Sequence, residues 1–185
     1  MKKIFAFAMA IVLAVATVNA EVFTSWNGID RANVEQQIDI DNTDVYIYAH
    51  HSAERKNDHQ IEKQEAAFDE LGTTLQKQLK GAFGHTNFIV INSLGEAPEG
   101  ATVIDANLTD IDWGSGALRQ TVGFGAGSIS ATYDVTITNA QGLVCQFNNR
   151  RFHDTTFSSA KGAAVIKVYN KAIATDLITA LKALK

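Results

Sequence analysis

Trp113-Gly-Ser-Gly-Ala-Leu-Arg-Gln-Thr-Val-Gly-Phe-Gly-Ala-Gly-Ser128 runs directly into the alternating stretch Ile129 to Thr138, and its reading decides the fold. Ser115-Gly116, flanked by Gly114 and Ala117, has the composition of a two-residue hairpin turn that needs positive φ. Such a turn sets a register in which Trp113 faces Leu118, Asp112 faces Arg119, Leu108 faces Gly123, Ala106 faces Gly125 and Ile104 faces Gly127. Side chains alternate along a strand, so one face collects Ile104, Ala106 and Leu108, then Ile129, Ala131, Tyr133, Val135 and Ile137. This is the expected core face. The other face collects Ile111, Trp113, Leu118, Val122 and Phe124, an apolar patch that is the expected partner-binding surface. Either the acidic N-terminal segment folds over that patch, through Trp26, or the patch stands open.

Gly123, Gly125 and Gly127 share one side of this strand. An interior glycine weakens a strand, so three of them imply either a close approach of a helix or a shallow groove able to take a peptide or small ligand. They do not form a dinucleotide site, because a strand follows them where that chemistry needs a helix N-terminus.

Outward from the hairpin, Asp44–Ala49 is rich in β-branched and aromatic residues and reads as a first strand. A helix is predicted over Asp58–Ala82, opened by a capping box of Asn57 with Gln60 and closed by Gly81 and Gly84. Ile61, Phe68, Leu71, Leu75, Leu79 and Ala82 form its apolar stripe. Further strands are expected at Asn87–Asn92, parallel to the first, then Thr102–Trp113, Leu118–Thr138 and Leu143–Phe152. An odd-numbered turn near Asn139-Ala-Gln-Gly142 would pair Ile137 with Leu143, Val135 with Cys145 and Tyr133 with Phe147. Cys145 is then a buried small hydrophobe. A last helix, Ser159–Leu184, carries the stripe Val165, Ile166, Tyr169, Ile173, Leu177, Leu181 and Leu184. The expected fold is α/β of the α+β type, in the order β-α-β-β-β-β-α. Its five strands form a mixed, mostly antiparallel sheet with two helices on one face.

Met1-Lys2-Lys3, an apolar run to Val18 and the small residues before Glu21 read as a signal peptide over residues 1–20. An acidic segment, 21–43, and a single domain, 44–185, follow. The chain has 185 residues, a formal charge of −4 and one cysteine. That charge argues against nucleic acid, which needs a basic footprint. No cysteine follows the leader for lipid attachment, so no stable membrane anchor is expected after cleavage, and the expected location is periplasmic or secreted.

His50, His51 and His59, with Asp58, are the one cluster of metal-ligand character, and their spacing matches no closed zinc motif. Asp110 and Asp112 read as solvated acids, with Asp112–Arg119 as a cross-strand ion pair. No catalytic residues and no cofactor are assigned.

Leu118-Arg-Gln-Thr-Val-Gly-Phe-Gly-Ala-Gly127, its alternating continuation and Asn139-Ala-Gln-Gly142-Leu-Val together resemble the domain-of-unknown-function 4410 family of exported Gram-negative proteins. That family shows an arginine, a Gly-Phe-Gly-x-Gly strand and a turn ending in Thr-Gly; here Gln141 stands in place of the threonine. The resemblance runs from about Asp44 to the C-terminus and implies location and fold, with no activity to carry over. The resulting expectation is a non-catalytic binding or accessory protein whose partner is an envelope protein. A small-ligand or metal binder is the alternative, and a hydrolase the third.

Overall fold

The computed structural model describes residues 38–56, 60–84, 86–114, 129–153 and 162–184. Its elements are β1 (Val45–His51), α1 (Ile61–Phe83), β2 (Phe88–Ile91), β3 (Thr102–Asp112), β4 (Ile129–Asn139), β5 (Gly142–His153) and α2 (Gly162–Leu184). The strands form one sheet in the order β2-β1-β3-β4-β5, parallel across β2-β1-β3 and antiparallel across β3-β4-β5. The α+β order and the five strands read from the sequence are present.

Both helices cover one face. On α1 the buried positions include Ala67, Phe68, Leu71, Leu75 and Leu79, spaced by three and four, and on α2 they include Val165, Ile166, Tyr169, Ile173, Leu177 and Leu181. They close over Val45 and Ile47 of β1, Ile104, Ala106 and Leu108 of β3, and the odd-numbered residues of β4. At Gly72 α1 comes close to the sheet: a Cβ there would sit 3.0 Å from Val90 Cγ1 and 3.5 Å from the Ala49 Cβ. Within the described residues a close helix approach is thus made by a glycine on the helix, and Gly123, Gly125 and Gly127 lie outside those residues.

Ile38 and Ile40, in the stretch read as an acidic segment, are buried in the same core. The Ile38 N–H donates to the Leu184 carbonyl at 3.0 Å, and Thr86 Oγ1 donates to the Ile40 carbonyl at 2.7 Å. The first described residue therefore lies against the C-terminal end of α2.

Helix α1 starts after Gln60, which is its N-cap and makes no side-chain cap bond, and Asn57 lies outside the described residues. At the other end Gly84, at φ 59°, returns its N–H to the Lys80 carbonyl at 2.9 Å, so the stop is Gly84, while Gly81 lies within the helix.

The hairpin register is corrected. Strand β3 pairs with Ile129–Asn139: Ile104 faces Ile137, Ala106 faces Val135 and Leu108 faces Tyr133. Gly123, Gly125 and Gly127, expected in those places, lie outside the described residues, as do Ser115 and Gly116. The connection is therefore much longer than two residues. The reason is that β-branched and aromatic partners across a central strand each add roughly 0.2–1 kcal/mol, which interior glycines cannot supply.

Register also shifts between Leu108 and Asp110, where Thr109 is an extra residue. Thr109 Oγ1 donates to the Thr132 carbonyl at 2.9 Å, which fastens the bulge. Beyond it the parity of β3 reverses. Ile111, expected on the open patch, is 3% exposed and part of the core. Trp113 goes with it, packed against the core, its indole Nε1 donating to the Glu54 carbonyl at 3.1 Å.

The β4–β5 turn is corrected likewise. Asn139 faces Gly142 across a two-residue turn, and a shift after Ile137 leaves Val144 as a second bulge. The Asn139 Oδ1 accepts the Gln141 N–H at 2.9 Å, and Gly142 takes φ 104°. Ile137 then faces Cys145, Val135 faces Phe147 and Tyr133 faces Asn149, two positions from the expected pairing. A slip of two preserves faces, so Cys145 is buried as expected.

Candidate functional site

The faces fixed by the Thr109 bulge define what the domain presents away from its helices. Strand β1 contributes Tyr46, Tyr48 and His50 to the face that carries no helix among the described residues, the helix-free face. Strand β3 contributes Val103, Asp105 and Asn107 before the bulge, then Asp110 and Asp112 after it. Strands β4 and β5 add Thr132, Asp134, Asn148 and Arg150. The result is a sheet surface with aromatic rings toward β1 and a polar, acid-rich field across β3 and β4.

Two contacts organise it. The His50 Nε2 lies 2.9 Å from Asp105 Oδ1, and its ring stacks on Tyr48 with centroids 4.6 Å apart. Arg150 Nε donates to Ser130 Oγ at 2.9 Å, and its Nη2 reaches Asp112 Oδ2 at 3.3 Å. Asp112 was expected to pair with Arg119, which lies outside the described residues; its partner here is Arg150, brought alongside by β5. Both charges of that pair are about half exposed, so its role is to orient side chains more than to stabilise the fold.

The histidines separate. Consecutive residues of a strand point to opposite faces, so His50 joins the sheet surface while His51 stacks on Phe68 of α1 with centroids 3.9 Å apart. His59 lies outside the described residues. Among the described residues no group of three or more His, Cys, Asp and Glu gathers for a metal. Of the expected partner patch, Ile111 and Trp113 belong to the core side, and Leu118, Val122 and Phe124 lie outside the described residues, as do the groove glycines.

The loop after β1 is held rigidly. The N–H groups of Ser52 and Ala53 both donate to the Leu108 carbonyl, at 3.0 and 3.1 Å. The buried Gln64 side chain pairs with Lys56 as a strand would, accepting its N–H at 2.9 Å and donating to its carbonyl at 3.1 Å. Gly162, opening α2, packs so tightly on Gln64 that a Cβ there would lie 2.5 Å from the amide carbon. Loop, α1 and α2 are thus locked at one amide.

On the helix side lies a polar cluster that the sequence reading missed. Asp176 of α2, 1% exposed, accepts hydrogen bonds from the Tyr133 hydroxyl, from Asn149 Nδ2 at 2.8 Å, and from Arg151 through Nε at 2.9 Å and through Nη2. Burial pushes its carboxyl up to about 7, against the opposing pull of those donors. The signal was present in the sequence. Asp176 interrupts the stripe between Ile173 and Leu177, while Asn149 and Arg151 continue the core parity of Cys145 and Phe147.

A two-layer domain, with a mixed five-stranded sheet backed on one side by two helices, is what these elements define. Residues 30–177 match the family described as Domain of unknown function (DUF4410), and the chain belongs to that family. No curated protein matches the chain. Among solved structures it is similar to a PelC dodecamer from Paraburkholderia phytofirmans, with 11% identity over 85% of this chain and 98% of that one and a TM-score of 0.44. It is also similar to a putative neuraminyllactose-binding hemagglutinin homolog from Helicobacter pylori, with 11% identity over 83% and 89% of the two chains and a TM-score of 0.44.

Proposed function

We propose that this protein is a non-catalytic binding or accessory module of the Gram-negative cell envelope, exported by its leader and cleaved after Ala20, and that the helix-free sheet face receives an envelope protein. One observation carries the reading. Both helices are spent on one side of the sheet, so Tyr46, Tyr48, His50, Asp105 and Asp134 line a broad surface of aromatic rings and hydrogen-bonding groups on the other. Such a mixture of ring area and polar rim is the composition of reversible protein interfaces. The basic head, apolar run and small residues of Met1–Ala20 support export.

Photo-reactive residues placed singly at Tyr48 and Asp134, and on the helix exterior at Glu62 and Lys171, test this in intact cells. The expected result is a discrete protein adduct from the two sheet positions and none from the helices. Adducts confined to the helix positions, or none at any position, would contradict it.

A further inference from the structure

We propose that Asp176, Arg151, Tyr133 and Asn149 form a proton-controlled clasp between α2 and the outermost strand, which holds Arg151 when the carboxyl is ionised and releases it when the carboxyl is protonated. The cluster has a fixed half and a movable half. Tyr133, Asn149 and Asp176 are all buried, whereas the Arg151 side chain is 44% exposed. A tyrosine hydroxyl and an amide N–H bond to a carboxylic acid as well as to a carboxylate, so those two links persist in either state. The two-point Arg151 contact differs, since its strength comes from the charge on both partners. Once Asp176 is neutral, the guanidinium has water beside it and little to hold it.

No other described ionisable group competes for the carboxyl. The buried face of α1 (Gln64, Ala67, Phe68, Leu71, Gly72, Leu75, Leu79 and Phe83) carries none. The neighbours of Asp176 one turn away on α2 are Ala172, Ile173, Thr179 and Ala180. Of the groups that β4 and β5 bond to it, Tyr133 and Arg151 are ionisable and the Asn149 amide is neutral. Because burial places the carboxyl at about 7, the change falls near neutrality. Closed, the pair carries no net charge; open, it leaves one exposed cation at the end of the edge strand β5. A partner with anionic groups would therefore meet a more receptive edge in mild acid.

Carboxyl carbon NMR of the whole mature protein, with the Arg151 Nε–H followed in the same samples, tests the clasp. One aspartate should titrate near pH 7, and the Arg151 Nε–H should lose its protection from exchange at the same midpoint as the pH falls. Asp176→Asn should remove that midpoint and leave Arg151 unprotected throughout. Arg151→Gln should raise the midpoint by about 1–3 pH units, the pull an adjacent cation exerts on a carboxylate. An Asp176 carboxyl that titrates with the surface aspartates, or Arg151 protection that ignores pH in the unaltered protein, would overturn the proposal.

Discussion

Ile111→Ala should lower unfolding stability by about 2–5 kcal/mol, the range for deleting a buried aliphatic side chain, whereas Asp110→Ala, one residue earlier, should change it by less than about 0.5 kcal/mol. The contrast follows from the Thr109 bulge. Strict alternation from Leu108 would turn Ile111 out of the core, onto the face opposite Ile104, Ala106 and Leu108. The extra residue turns it inward instead, across from Ala131, and leaves Asp110 exposed across from Thr132. Denaturant titration of the two variants measures the difference directly. Equal, small losses from both would mean that Ile111 stands on the surface.

A second large effect is expected from pH. Asp176 binds a proton more tightly in the folded chain, at about 7, than in the unfolded one, at its ordinary value of 3.8. The folded state therefore holds the extra proton between those values, and stability must fall as pH rises through that interval. The contribution is fully present below about pH 4 and gone above about pH 7, with a size of a few kcal/mol at most. The ordinary carboxylates act in the opposite sense at the acid end, so the falling limb should be plainest between pH 5 and 8. Thermal unfolding over that range should show a declining midpoint in the unaltered protein and a flatter profile in Asp176→Asn. A midpoint that rises from pH 5 to 8 would contradict the assignment.

Much of the architecture was legible because it rests on periodicity. The stripes of α1 and α2 and the core parity of Ile104, Ala106 and Leu108 are set by apolar spacing, which the chain displays openly, and the parallel pairing of β1 with β2 follows from the strand–helix–strand order. Registers were another matter. Ser115-Gly116 has good hairpin chemistry, but local turn preference competes with the pairing of Ile129, Ala131, Tyr133, Val135 and Ile137 against β3, and the longer-range pairing prevails. A bulge is a single extra residue with no compositional mark at Thr109 or Val144, so its position is decided by what packs on each side. The β4–β5 error was harmless to the faces, because it was even; the Thr109 error was not, because it was odd. That one residue removed Ile111 and Trp113 from the surface on which binding was expected. His50 and His51 part for a related reason: two neighbours inside a strand diverge, whereas two on a loop need not. The Asp176 cluster was within reach, since polar residues at core-parity positions are costly to bury unless they meet one another.

Cysteine labelling along β3 tests the arrangement of faces most directly. In a Cys145→Ala background, Asp110→Cys, Ile111→Cys and Asp112→Cys are introduced singly and exposed to a water-soluble thiol reagent in the folded protein. The structure predicts fast labelling at 110 and 112 and protection at 111. Fast labelling at 111 with protection at 110 and 112 would contradict the bulge, and with it the helix-free surface on which the proposed function rests.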